Sequence, residues 1–406
     1  MAKIIPFQAV RPTRDKVSLV TCRSYEEYVT AELAAQLDFN PLSFLHVLKP
    51  AYTKQETVSF EKRYRQVYQR YQDFKNENIL VKDKKPAIYI HKIVNKNMSF
   101  TGIIVGTSIE DYRNNSIKKH EETLAFRVQL LKEYMKHSAF NTEPVLMTYP
   151  DDKTIENWIF RCTQKLADFE FSTTKKEMNY LWKIDDTTEI KWIQNVFDKI
   201  NTLYIADGHH RSEAAKLLSE ENENSKNTAK HYLLSYLIPE NNVKIYEFNR
   251  LIKDLNGLQK EEFINKLNEN FIVENKNQQP FYPSEKHQFG MYLENEFYSL
   301  ILRKEKQHFK TPLESLDTQI LYKTVLLPVL AIKDLRNDER IEYLSGKQSI
   351  LEIKQIIDEG EFELGFILFP SNINEIKALA DHNLIMPPKS TYIEPKFRSG
   401  IVIYEL

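Results

Sequence analysis

Glycine is scarce in this chain, with nine in 406 positions. A glycine that does occur is therefore informative about where the backbone needs a conformation other residues avoid. Cysteine is scarcer still. Cys22 and Cys162 exclude a disulfide framework and a multi-cysteine metal site, fit a reducing compartment, and are read as bystander thiols. Neither charge is in excess, since 56 Lys and Arg balance 57 Asp and Glu to a net charge of −1. A dominant nucleic-acid or anionic-membrane partner would leave a basic surplus. No window approaches eighteen apolar residues, and Pro6 interrupts an N-terminus that has no apolar signal core. These absences lead to the expectation of a soluble, cytoplasmic protein. What is present is core material: 42% hydrophobic and 12% aromatic residues, too much for a disordered chain.

Strand and helix signals alternate along the sequence. Helical spacing is read over about Tyr25 to Leu37 and, with an aromatic stripe, over 57–81. Ala87–Val94 and Phe100–Gly106 flank Asn95-Lys96-Asn97 as a hairpin. A strand is expected at Val145–Tyr149 and a helix near Trp192–Ile200. Ser219–Lys230 has the composition of a solvated loop and is the best candidate for local disorder. Further strands are expected at Tyr232–Leu237 and Lys244–Asn249. From about residue 251 the pattern changes to a helix at 260–270 and a hairpin turning near Glu294-Asn295-Glu296. An apolar helix over 316–332, a strand at 362–369 and a last strand at 400–404 complete it. The class is α/β (α+β), with an expected boundary near 250 that separates residues 1–250 from a C-terminal α+β domain at 251–406.

The most informative segment is 202–218. Leu203, Tyr204 and Ile205 form a compact apolar run, Asp207-Gly208 interrupts it, and helical spacing resumes at Ala214, Ala215, Leu217 and Leu218. Strand, glycine turn and helix N-terminus together present free N–H groups and the positive end of a helix dipole to an anion. His209, His210 and Arg211 add donors, and Arg suits bidentate phosphate contacts. An ordinary Asp-Gly turn with hydrogen-bonded histidines stays open as the alternative.

A second cluster is Lys118-Lys119-His120-Glu121-Glu122-Thr123. The surrounding pattern predicts a helix from about Ile117 to Lys136. His120, Thr123 and Arg127 then fall on one face at i, i+3 and i+7, with Glu121 one step round. A solvated helix start, capped by Ser116, is the competing interpretation.

Taken together, Lys-x-His-Glu followed by Ile-Ala-Asp-Gly-His-His-Arg at a helix start resembles the ParB/sulfiredoxin-like superfamily and, within it, the free serine kinases. The chain more closely resembles the bacterial domain of unknown function 1015 family. That likeness rests on Asn40-Pro-Leu-Ser-Phe-Leu-His-Val47, Ile117-Lys-Lys-His-Glu-Glu-Thr123, Asp207–Arg211 and Met386-Pro-Pro-Lys-Ser-Thr-Tyr392. It implies a ParB/sulfiredoxin-like nucleotide-binding core with additional N-terminal and C-terminal α/β portions. It further implies that Gly208, His209, His210 and Arg211 hold nucleotide phosphates, and that Asp207 aids a metal or orients the acceptor. Glu121 becomes the general base, and His120, Thr123 and Arg127 the candidate substrate contacts. The donor would be ATP or ADP with Mg2+, although no metal-ligand cluster is legible, and the acceptor free serine or a similar hydroxylated amino acid.

Two departures accompany the resemblance. His120-Glu121 lies further upstream of Asp207 than in a compact serine kinase, and Lys389-Ser390-Thr391 has no counterpart there. A ParB-like nucleotide-binding regulator associated with DNA is the alternative, against which the missing basic excess counts. Sulfiredoxin-like repair would need a cysteine where His209 stands. A relative that keeps the fold without turnover also remains.

Overall fold

The computed structural model describes residues 2–52, 58–221 and 228–406. The centre of the segment expected to be a loop, 222–227, lies outside the described residues, as does residue 57. The fold is mixed α/β. It divides into two compact units: Met1–Lys119 with Thr123–Val243 and Pro395–Leu406, and His120–Glu122 with Lys244–Glu394. No helix among the described residues is long and apolar enough to cross a membrane.

The first unit is built on a nine-stranded sheet. Its strands are β1 (Ile4–Ile5), β2 (Ile88–Val94), β3 (Ser99–Ser108), β4 (Ile117–Lys118), β5 (Val145–Tyr149), β6 (Phe169–Ser172), β7 (Met178–Ile184), β8 (Leu203–Asp207) and β9 (Tyr232–Pro239). Their order is β4-β8-β5-β9-β3-β2-β7-β6, with β1 added beside β3. The β2–β3 hairpin turns at the expected asparagines, with Asn95 N–H donating to Met98 O at 3.0 Å. β8 runs antiparallel to β5, whereas β9 runs parallel to it. Both neighbours are thus central, and the inward residues of β5 and β8 (Val145, Met147, Leu203, Ile205) are fully buried. Buried strands of this kind read as continuous apolar runs, which is why they were visible in the sequence.

Helices α1 (Phe60–Asn76), α2 (Ala125–Ser138), α3 (Lys153–Thr163), α4 (Thr187–Phe197) and α5 (His209–Glu220) belong to the same unit. Asp152 and Asp186 cap α3 and α4, each accepting two backbone N–H groups, and each such cap contributes about 1 kcal/mol. The aromatic stripe of α1 is core: Tyr64, Val67, Tyr71 and Phe74 are buried. At the C-terminus only Tyr404–Glu405 is strand, paired with Phe140–Asn141, while Ile403 bridges Val10.

The helix expected over 117–136 is corrected. Ile117–Lys118 is a strand paired in parallel with Leu203–Tyr204, residues 119–124 are loop, and α2 starts at Ala125. Only Arg127 of the proposed helical face is helical, so the shared face of His120, Thr123 and Arg127 does not exist. Sheet pairing outweighed helical spacing, because an edge position beside β8 was available to an apolar residue.

The second unit carries a six-stranded sheet of β10 (Phe248–Ile252), β11 (Phe271–Asn277), β12 (Gln288–Leu293), β13 (Glu296–Leu302), β14 (Ile341–Ser345) and β15 (Leu364–Ile367), ordered β11-β13-β12-β15-β10-β14. The β12–β13 hairpin turns through Glu294 and Asn295, both at positive φ. Helices α6 (Lys260–Asn268), α7 (Ile350–Asp358) and α8 (Ile373–Asp381) complete this unit. The continuous apolar helix expected over 316–332 is also corrected. Asp317–Leu321 is α-helical, Tyr322–Leu326 widens into a π-helical turn, and Leu327 N–H reaches back to Tyr322 O. Pro328 supplies the reason. It has no N–H, and its ring would collide with the carbonyl four residues earlier, a situation a wider turn relieves.

Candidate functional site

The site is set by β8 and by the turn that ends it. Gly208 has φ +102° and ψ 26°, the left-handed region, and immediately precedes α5. A Cβ there would lie 3.1 Å from both Val145 Cγ2 and the Arg211 guanidinium. Backbone conformation and close approach both explain a glycine in this glycine-poor chain. No side chain caps α5, and no acidic residue occupies its first turn. Ser212 N–H and Oγ–H both donate to Gly208 O, at 3.0 and 3.2 Å. The backbone N–H groups of His209, His210 and Arg211 lie in the first turn of α5, at the positive end of its dipole.

Arg211 and Asp207 anchor a four-charge network. Asp207 Oδ2 accepts from Lys396 Nζ at 3.1 Å and lies 3.5 Å from Arg211 Nη2. Arg211 Nη1 lies 3.5 Å from Glu143 Oε2, while Glu143 Oε1 accepts from the Ser399 hydroxyl at 2.9 Å. Two cations therefore face two carboxylates. Segment 396–400 is held by backbone bonds in both directions between Cys22 and Ser399, and by Gly400 N–H donating to Thr142 Oγ1 at 2.6 Å. Gly400 takes φ +83° against the Phe44 ring. Burial pushes the Cys22 thiol up to about 12 and the Cys162 thiol up to about 11, so neither is a ready thiolate near neutral pH.

The histidines differ in placement. His209 is buried. His210 Nε2 accepts the N–H of Leu124 at 3.0 Å, at the N-cap of α2. That bond ties the start of α2 to α5. Thr123 and the exposed Arg127 lie on this side of the chain's division, in the first unit. His120, fully buried, and Glu121 belong to the second unit. There His120 O accepts the N–H of Met386 at 2.9 Å, and Glu122 pairs with Arg336 at 3.1 Å. Ser390 donates to Pro387 O at 2.6 Å, closing the turn after the two prolines.

Glu143, Lys396 and Ser399 were missed by sequence reasoning. They come from sequence positions 68 and more residues away from Arg211, and no local spacing announces them. The one available signal was Lys-Phe-Arg-Ser-Gly at 396–400, a basic and polar run that closes on one of nine glycines. No described group of three or more His, Cys, Asp or Glu side chains is arranged to hold a metal ion. Asp207 and Glu143 are the carboxylates of this site. That is adequate for a magnesium ion arriving with a nucleotide, which takes one or two protein carboxylates and most of its other ligands from phosphate and water.

The chain belongs to the DUF1015 family, described as a protein of unknown function, whose pattern matches residues 4–319. No curated protein sequence matches it. Among solved structures it is similar to a free serine kinase in complex with AMP, at 13% identity and a TM-score of 0.35 over 74% of this chain and 91% of that one. It is similar also to SbnI with C-terminal truncation from Staphylococcus aureus, at 12% identity and a TM-score of 0.39 over 73% and 85%. A conserved hypothetical protein from Pyrococcus furiosus has 14% identity and a TM-score of 0.34 over 75% and 94%.

Proposed function

We propose that the protein is a nucleotide-dependent phosphotransferase that phosphorylates the hydroxyl of a small amino acid such as free serine. The observation that carries this reading is the left-handed Gly208 turn, which opens an uncapped helix with Arg211 in its first turn and Lys396 alongside. Phosphate is the ligand chemistry that such a turn, dipole end and pair of cations suit best. Gly208, His209, His210 and Arg211 contribute through backbone N–H groups, Arg211 and Lys396 through charge. The donor is ATP or ADP. Asp207 would hold Mg2+ together with phosphate oxygens, where the ion neutralises phosphate charge.

Phosphoryl transfer asks little covalent work of the protein and much positioning. The acceptor oxygen attacks the terminal phosphorus, the bond to the leaving phosphate oxygen breaks, and the hydroxyl proton passes to a base. Glu121 is the proposed base, from the family resemblance of its segment, and His120, Thr123 and Arg127 are the proposed substrate contacts.

The test is the direct one. Protein, serine, Mg2+ and either ATP or ADP should yield phosphoserine, measured by mass spectrometry. Glu121→Gln keeps size but removes basicity, so turnover should fall by about 10²–10⁴ with nucleotide affinity preserved. Glu122→Gln is the control, because Glu122 is engaged with Arg336, and should leave turnover near wild type. Absence of phosphoserine with both nucleotides refutes the serine kinase reading. Nucleotide binding without turnover would leave a binding regulator, and equal behaviour of the two glutamine variants would remove Glu121 as base.

A further inference from the structure

A cavity of about 320 Å³ lies in the first unit at the other end of β5, lined in part by Tyr149, Asp151, Asp152, Glu156, Ile159 and Phe160, with Lys92 as the one cation among its lining residues. Four residues of extended chain separate Val145, against Gly208, from Tyr149, about 13 Å at strand rise. The cavity is therefore distinct from the phosphate cradle.

Three observations define its chemistry. First, the Tyr149 side chain is 1% exposed and lines this cavity, yet no described residue hydrogen-bonds its hydroxyl. Burial, and then the carboxylates of Asp151, Asp152 and Glu156, hold that hydroxyl above the ordinary tyrosine range and so protonated and neutral. The hydroxyl is reached from the cavity, and its hydrogen-bonding capacity is not spent on any described residue. Second, none of the three carboxylates forms an ion pair among the described residues. Asp152 spends one oxygen capping α3, accepting from Thr154 and Ile155 N–H at 2.7 and 3.2 Å, and Asp151 accepts Asn241 N–H at 3.1 Å. Glu156 is uncommitted. Third, one wall is apolar, with Ile159 nearly buried and Phe160 67% exposed.

We propose that this cavity binds a small primary amine, its ammonium group donating to the Tyr149 hydroxyl oxygen and to the carboxylates, its apolar stem lying on Ile159 and Phe160. Three carboxylates outnumber Lys92, so a neutral ligand would leave negative charge in excess, and a quaternary ammonium would offer Tyr149 no donor. A divalent cation lacks the ligand geometry, since no described carboxylate group is arranged for one. The volume is near the lower end of small-molecule sites and about ten times the share of one water.

The experiment is calorimetric titration of the full chain with isopentylamine, with isopentanol as the neutral twin and MgCl2 as the cation alone. Saturable binding of isopentylamine only is expected, weakened about tenfold or more by Glu156→Gln, a substitution on an exposed helix position. Tyr149→Phe should weaken it several-fold, with thermal unfolding checking that each variant is folded. Equal affinity for isopentanol, no isopentylamine binding at millimolar concentration, tighter binding of Mg2+ than of the amine, or an unchanged dissociation constant in folded Glu156→Gln would each overturn the proposal. None of these readouts depends on nucleotide or on phosphoserine formation.

Discussion

The two ends of β5 present opposite electrostatic situations within one unit. Beside Val145 the charges are matched: Arg211 and Lys396 face Asp207 and Glu143. Beside Tyr149 three carboxylates outnumber one lysine, Lys92, in the lining of a cavity, and none of the three forms an ion pair among the described residues. A matched site must give up a contact to take a ligand, so the ligand gains only the difference between its own pairing and the one it displaces. A site with surplus charge offers its net field without first giving up an ion pair. Discrimination at the proposed phosphate end would thus depend on the geometry of the turn and the guanidinium fork rather than on surplus charge.

Acid titration produces the largest effect to be separated from this comparison. His91 is wholly buried in the same unit, its Nε2 beside Asn179 Oδ1 at 3.1 Å, and burial lowers its pKa to about 4. Above pH 6.5 it is neutral in both folded and unfolded chains. Below that, the unfolded chain binds the proton first, so stability falls with pH until the folded pKa is reached. The total is about 3 kcal/mol. The difference between wild type and His91→Gln in denaturant unfolding at pH 7.5 and 4.5 should show most of this loss, because buried Asp317, raised to about 7, changes stability in the opposite sense in both chains. Binding at either end of β5 is therefore best compared above pH 6.5.

Removal of Arg211 breaks the matched end. Arg211→Ala should weaken nucleotide binding by roughly 1.5–3 kcal/mol, the range for charge-assisted hydrogen bonds, while leaving amine binding at the Tyr149 end unchanged. Arg211→Lys should rescue only part, since a point charge replaces the fork. Calorimetry with ADP and Mg2+ reads both, and equal affinity in wild type and the alanine variant rules out the phosphate role.

Gly208→Ala tests the geometry with the charges left in place. The left-handed backbone disfavours any Cβ by roughly 1–2 kcal/mol, and the added methyl meets the Arg211 guanidinium and Val145 at 3.1 Å. Thermal unfolding should report a loss of about that size, and nucleotide affinity should fall with it. A variant as stable as wild type would mean the turn relaxes without consequence.

The turn was legible because everything that makes it is local. An apolar run, one glycine and resumed helical spacing lie within seventeen consecutive residues. Its partners were not legible, since Lys396 reaches Asp207 across 189 residues and Glu143 reaches Arg211 across 68. Segment 117–124 failed for a related reason. Its helical spacing was real, but Ile117 and Lys118 had a strand to pair with, a fact fixed by residues 203–204. The π-helical turn before Pro328 was accessible in principle, because a proline inside an apolar helical run announces a break. What stays invisible in sequence is whether the break becomes a kink, an end or a widened turn, which neighbouring side chains decide.

The smallest effect separates charge matching from mere charge counting. Asp207 holds Lys396 and Arg211 in the ligand-free chain, and an arriving phosphate competes with it for both. Asp207→Asn keeps the shape and one acceptor oxygen but removes the negative charge, so both cations lose one competing carboxylate while Arg211 keeps Glu143. Binding of a nucleotide without Mg2+ should therefore tighten, by a few-fold, since partly exposed ion pairs contribute about 1 kcal/mol or less. With Mg2+ present the sign should reverse, because the proposed carboxylate ligand is gone. Added salt should shrink the gain without Mg2+, as partly exposed charges are screened. Calorimetry with ADP, with and without Mg2+, measures both arms. If Asp207→Asn weakens binding equally in the two conditions, Asp207 serves the turn itself, and the phosphate end of β5 is held together by that carboxylate rather than restrained by it.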